Sequence, residues 1–332
     1  MFISICIASY NYARYLSKGF EAIKRQNYSD YEVIYIDDAS VDNSVELINN
    51  FIKNNPSMQI SLIVHTENKG LLKTKTELLT LAKGKYIMLC DADDWMAPDC
   101  LELLAARAMQ SNADRIITQI YDVNEKNKII QIQDFAYKPS KWLWNIHHGC
   151  LYKREIIEKN RLKILFYPDD VYFTTLFNYY SIKIEWVSKP LYYWLVHKDS
   201  AGRSQYDCEK VIRQFEQIMI FLNKMVKKVT CKNDKKDIEL LQVKIYYLQL
   251  FHELKPFSVK TKLNTYYKIK KKMGVLYPLY LENDYLKYKG YCPARNYAMC
   301  IMRLGRLLEK IHLMWFALIV YHFLCLFIEF DQ

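Results

Sequence analysis

Over the first hundred residues, short and nearly unbroken apolar runs alternate with longer segments in which apolar positions recur at helical spacing. The runs at 2–8, 32–36, 60–64 and 85–90 read as strands buried on both faces. The segments at 12–27, 43–54 and 71–82 read as helices with one apolar stripe, made in the first by Tyr15, Leu16, Phe20 and Ile23. Another helix opens at Pro98, a residue suited to a first turn. Strands alternating with helices predict an α/β fold with a Rossmann-like, doubly wound, mostly parallel sheet. Beyond residue 205 the alternation gives way to long helical patterns, so a domain over 1–205 and a C-terminal helical region over 206–332 are expected.

In open sheets of this kind, ligands sit beyond the carboxyl ends of the strands. Ser9-Tyr10-Asn11, Asp37-Asp38 and Asp91-Ala92-Asp93-Asp94 each follow a predicted strand and would gather at one edge. Such residues also serve as ordinary turn and N-cap residues. The last group places three carboxylates within four residues, which is costly in a core unless a cation lies against it. Oxygen-rich sites suit Mn²⁺ or Mg²⁺, ions that also hold phosphate oxygens, so a metal–diphosphate site is predicted at that strand end.

At 332 residues and 51% apolar content, the chain can bury one large core or two smaller ones, and it is not of a disordered class. Nine scattered cysteines without a Cys-x-x-Cys pair argue against a disulfide framework or a zinc site. Met1–Ile7 lacks a basic n-region and a small-residue cleavage site, and reads as a core strand rather than a signal peptide; the start of the chain is expected to stay in the cytoplasm. The net charge of +11 belongs to the second half, since residues 203–312 hold 23 Lys and Arg against 10 Asp and Glu. Without a nucleic-acid motif, this basic region points to anionic lipid or glycan and away from nucleic acid. Ile311–Ile328 is a run of 18 residues free of Asp, Glu, Lys and Arg, at the lower limit for a membrane span. His312 and His322 weaken spanning; a helix lying in the headgroup region of an anionic membrane fits at least as well, and packing on the domain or in a homodimer through the C-terminal helices is the remaining alternative.

Together these residues resemble the family 2 glycosyltransferases, inverting enzymes of the type A fold that use nucleotide-sugar donors. The resemblance covers about 1–205. It rests on Ser4–Asn11, on Glu32–Ser44 with its Asp-Asp-x-Ser-x-Asp turn, on Asn68-Lys69-Gly70, and on Asp91-Ala92-Asp93 as an Asp-x-Asp signature. It implies that Ala8, Tyr10, Asn11, Asp38, Asn68, Lys75, Asp91 and Ala92 line the nucleotide-sugar site. Asp38 would bond the base, Asp91 would contact the ribose or diphosphate, and Asp93 would ligate Mn²⁺ or Mg²⁺, with His197 as a further ligand or diphosphate contact. Departures from the family pattern stand out here. Lys75 replaces an arginine, Leu195 replaces another in the Tyr192–Ser200 tail, and Ala8-Ser9 lacks the usual proline.

An inverting transfer needs a carboxylate to take the proton of the attacking hydroxyl. Phe166–Phe173 resembles the family's Glu-Asp-Val-x-Phe segment, which implies Asp170 as that base, with Asp169 where the family has Glu. Two carboxylates at a helix start also serve as an N-cap and a dipole-stabilising residue. Trp142 and Trp144 fit either sugar stacking or core packing, and Asp94 reads as a cap for the next helix. The resemblance implies transfer from a nucleoside-diphosphate sugar, UDP-sugar first, to a hydroxyl of a cell-surface glycan or glycolipid precursor at the inner face of the plasma membrane. A non-catalytic partner or tethering protein of the same fold is the alternative.

Overall fold

The computed structural model describes residues 1–134, 140–197, 207–254, 256–287 and 296–330. The chain divides into two compact units: 1–136 with 145–165 and 169–197, and 137–144 with 166–168 and 198–332. The second therefore takes two short segments that interrupt the first.

The first unit carries β1 (Ile3–Ser9), α1 (Leu16–Lys24), β2 (Tyr31–Asp37), α2 (Ser44–Asn54), β3 (Ile60–Val64), α3 (Leu71–Leu81), β4 (Tyr86–Asp91), β5 (Trp95–Met96) and α4 (Cys100–Ser111). It continues with β6 (Arg115–Asn124), β7 (Ile129–Gln133), β8 (Cys150–Lys153), α5 (Arg154–Lys159), α6 (Asp169–Tyr180) and β9 (Ile184–Val196). The sheet order is β3-β2-β1-β4-β8-β6-β9-β5, with β7 on β6. The first four strands are mutually parallel, as expected; β8 runs antiparallel to both neighbours and β6 is parallel to β9.

All of β1 and nearly all of β2 and β4 are buried, which is why they read as continuous apolar runs rather than alternating ones. Their register decides the site. Ser9 lies opposite Asp37 and Ala8 opposite Asp91, so the three polar strand ends finish level at one edge. At the other end Gly84 is required, because a Cβ there would lie 2.6 Å from the Ser4 nitrogen. Its N–H donates to Ser4 Oγ, which donates to Glu32, tying β1, β2 and β4 together.

The second unit holds α7 (Cys208–Lys228), α8 (Lys232–Leu248), α9 (Val259–Leu276), α10 (Asp284–Lys287), α11 (Asn296–Lys310) and α12 (Met314–Phe330). Phe215, Ile218 and Leu222 of α7 and Tyr246 of α8 are buried in its core. Buried Glu309 accepts from Tyr246 Oη at 2.6 Å and pairs with Lys270 at 2.6 Å. The apolar run over 311–328 opens with a turn in which His312 adopts a left-handed φ of 57°, and from Met314 onward it lies in one helix, α12. No helix among the described residues is long and apolar enough to cross a membrane.

Candidate active site

At the end of β2 the carboxylates are held by main-chain N–H groups and hydroxyls. Asp37 accepts from Ser40 N and Oγ, Ser40 Oγ accepts from Asn11 N, and Asn11 Oδ1 accepts from Val41 N at 2.9 Å. Asn11 and Ala39 have positive φ, 58° and 64°, which the two interlocked turns impose. Asp42 accepts from Ala13 N and Ser44 N, adding a third tie. Buried Asp38 accepts from Lys69 N at 2.9 Å, Gly70 N at 2.8 Å and His65 Nδ1 at 2.7 Å. Burial works against the Asp38 anion, yet these bonds outweigh it and hold the carboxyl below its ordinary range. Asp38 is thus the clamp on the 65–70 loop. Ala8 and Ala92 are buried, whereas Tyr10, Asn11 and Asn68 are exposed beside these turns.

At the end of β4 the compensation comes from side-chain cations. Lys75, on α3 and only 2% exposed, places its ammonium 2.9 Å from Asp91 Oδ1, 2.9 Å from Asp169 Oδ2 and 3.3 Å from His147 Nε2. Burial disfavours the Lys75 charge, but Asp169 and Asp91 more than restore it. His148 Nε2 lies 2.9 Å from Asp91 Oδ2, and its ring sits 5.6 Å from Tyr192 and 5.7 Å from Trp194. Burial disfavours its cation too, but the Asp91 bond and the charges of Asp91 and Asp94 lift it to about 9. His147 goes the other way, down to about 4, through burial and then the charge of Lys75. A neutral His147 that accepts at Nε2 carries its proton on Nδ1, which is buried without a partner.

Asp93 Oδ2 lies 2.7 Å from His197 Nε2, whose Nδ1 is 2.8 Å from Tyr15 Oη. Asp94 is not a helix cap: it is buried and accepts from Tyr192 Oη and Leu195 N, both at 2.9 Å, fastening β9 beside β4. Burial and then the charge of Asp93 push its carboxyl well up. Asp169 and Asp170 open α6. Burial and then the charge of Asp169 push Asp170 up to about 6, while Lys75 holds Asp169 down against its own burial. Asp170 Oδ1 accepts from Val171 N at 2.7 Å.

A model of glycosyl transferase family 2 matches residues 4–178, more than half of the chain. This chain belongs to that family. EpsH of Bacillus subtilis is 26% identical over 220 residues, 60% of this chain and 62% of EpsH, so the chain spans under two thirds of that relative. Among solved structures, S. aureus TarS 1–349 in complex with UDP-GlcNAc superposes with a TM-score of 0.65 at 15% identity, over 94% of this chain and 92% of that one. The mannosyltransferase PcManGT from Pyrobaculum calidifontis, in complex with GDP-Man and Mn²⁺, gives 0.57 at 15% identity, over 97% and 86%. These likenesses show the type A glycosyltransferase fold.

In this family 2 domain, the donor set fits a divalent cation. Asp91, Asp93 and Asp94 offer oxygens within 4.8 Å of one another, and His197 adds a nitrogen at Asp93. Asp94 is engaged with β9, Asp91 with Lys75 and His148, and Asp93 with His197, so an ion held there would exchange with these contacts. Asp91, His147 and His148 also offer atoms within 4.8 Å of one another, but Lys75 already lies among them.

Sequence reasoning assigned no role to His65, Arg115, His147 or His148. Arg115 is fully buried and donates to the Ile146 carbonyl at 2.7 Å and to Asn178 Oδ1 at 3.2 Å, fixing the stretch that bears both histidines. Gly149 (φ 62°) completes it, since a Cβ there would meet Thr118 Cγ2 at 2.6 Å. Trp142 and Trp144 are buried at 1% and 5% exposure, which removes them as open sugar platforms.

Proposed function

We propose that this protein is an inverting, cation-assisted glycosyltransferase that moves a sugar from a nucleoside-diphosphate donor to an acceptor hydroxyl. The observation that carries this reading is the joining, through one ammonium 2.9 Å from each, of Asp91 at the Asp-x-Asp strand end to Asp169 beside Asp170. Donor-side and base-side carboxylates thereby form one cluster. Asp170, pushed up to about 6 by burial and by Asp169, is a carboxylate at neutral pH with enough basicity to take the proton of an attacking hydroxyl. Asp93 and His197 would hold Mn²⁺ or Mg²⁺, which supplies charge neutralisation for the leaving diphosphate. His148, lifted to about 9, adds a fixed positive charge on the same side. Tyr10, Asn11 and Asn68, exposed around the Asp38-clamped loop, would line the nucleotide.

UDP-sugar is the expected donor, in keeping with the UDP-GlcNAc bound by TarS; the GDP-Man bound by PcManGT names the main competitor. The acceptor is read as a cell-surface glycan or glycolipid precursor at the inner membrane face. Supporting this are the basic second unit and the exposed Leu304, Leu307, Ile311, Leu313, Trp315 and Phe316 of α11, α12 and their connection, a surface suited to anionic lipid. Flotation with phosphatidylglycerol vesicles tests it: Leu307→Glu with Phe316→Glu should abolish binding, whereas a dimer in solution that these changes split would mean that the surface joins two copies.

The deciding experiment is a thermal-shift panel with UDP-, GDP-, dTDP- and CMP-sugars in Mn²⁺ or EDTA. A ligand at ~100 times its Kd stabilises the native state by about 2.7 kcal/mol, so one donor class should shift the transition in Mn²⁺ alone. Folded protein that responds to none would be the non-catalytic partner.

A further inference from the structure

Two departures from the family pattern, Lys75 for arginine and Asp169 for glutamate, meet at one nitrogen–oxygen contact of 2.9 Å. The three N–H donors of the Lys75 ammonium have three acceptors, Asp91, Asp169 and His147, each on a different segment: the end of β4, the start of α6 and the stretch before β8. An ammonium so placed has no donor left for a diphosphate. Around it stand two carboxylates and a neutral imidazole, an oxygen- and nitrogen-donor set of the kind that binds divalent ions.

We propose that Lys75 is a resident cation: its ammonium fills a latent divalent-ion position between Asp91, Asp169 and His147, ties the base-bearing helix to β4, and keeps Asp91 from ligating a metal. Lys75 is thus a positioning residue, acting on Asp170 through Asp169. A resident ammonium also has a structural consequence. The link between the two sides needs no bound Mn²⁺, because the charge that makes it is part of the chain. Only the role assigned to Asp170 rests on the transferase reading.

The test is a count of Mn²⁺ bound to the full chain without nucleotide, by calorimetry and by the spin resonance of free Mn²⁺. Lys75→Met and Lys75→Gln should each take up one more Mn²⁺ per chain than the wild type, since they empty the centre and leave its donors. Lys75→Arg, which keeps the charge, should gain none, and adding Asp169→Asn to Lys75→Met should remove the gain. Folded neutral variants that bind no more Mn²⁺ than the wild type overturn the proposal. If Lys75→Met and Lys75→Gln unfold in EDTA, both must recover on refolding with Mn²⁺, and failure to recover overturns it equally. The kinetic arm uses the donor found by the thermal-shift panel: Lys75→Met should lower kcat and leave donor KM near the wild-type value, whereas a raised KM at unchanged kcat means that Lys75 grips the diphosphate. The metal count needs neither donor nor acceptor, so its outcome is separate from whether the protein transfers sugar.

Discussion

The ends of β2 and β4 lie one strand apart across β1 and carry the same kind of residue, yet they solve the problem of buried carboxylates differently. At β2, Asp37, Asp38 and Asp42 take hydrogen bonds from main-chain N–H groups, hydroxyls and His65. At β4, Asp91 and Asp93 face the charged or imidazole side chains of Lys75, His148 and His197. The first arrangement is a frame whose donors are spent on holding loops in place. The second is a balance of charges that a ligand or ion can redistribute, because side-chain partners can exchange where backbone partners cannot. Clustered carboxylates therefore mark chemistry only where other charges compensate them.

The largest effect that separates the two ends is on turnover. Asp170→Asn should lower kcat by about 10²–10⁴ while donor affinity stays close to wild type, the range for losing a general base. Wild-type turnover in that variant would sink the assignment. Asp93→Ala should remove the Mn²⁺-dependent part of donor binding, read as loss of the difference between Mn²⁺ and EDTA in the thermal shift, and it should also lower the melting temperature of the protein alone, since it strands buried His197. Asp38→Ala should act on stability. It strands the buried N–H groups of Lys69 and Gly70, costing about 2–4 kcal/mol in chemical denaturation.

Smaller effects come with pH. Asp170 is protonated below its pKa of about 6, so kcat should rise with pH through that value and then level; a rate that falls across this interval would contradict the base role. Asp38 and Asp42, held below their ordinary range in the folded state, contribute stability that is present above the unfolded carboxylate pKa of about 3.9 and is lost as pH falls through their lower folded values. Asp38→Asn should flatten that acid limb of the stability curve, whereas Asp93→Asn, at the other strand end, should leave it in place.

Much of the first unit was legible before any coordinates. The strands at 3–9, 31–37 and 86–91 fall within one or two residues of the apolar runs, because strands covered on both faces must be apolar throughout; the run at 60–64 is a strand too, at the sheet edge and partly exposed. Helix starts were less visible: α1 begins at Leu16 and α4 at Cys100, since irregular or turn residues at 12–15 and 98–99 occupy positions that the sequence pattern assigns to helix. Gathering the three polar strand ends at one edge followed from topology alone, and the register confirms it. The roles within that edge did not follow. Asp94 looked like a cap and proved to be the anchor of β9. At the other end of the chain, the run without charges is helical only from Met314, after a turn at His312 whose left-handed backbone no hydropathy count registers.

By itself, then, the sequence determined the order of strands and helices in the first unit, the edge at which the polar residues collect, and the family to which the pattern belongs, because those depend on local periodicity and on motifs contiguous in the chain. Only the tertiary structure decided which partner each carboxylate has. Lys75, His147 and Asp169 come from separate segments, as do Asp93, His197 and Tyr15, and the partner of a buried charge is set by packing across the fold rather than by its neighbours in sequence.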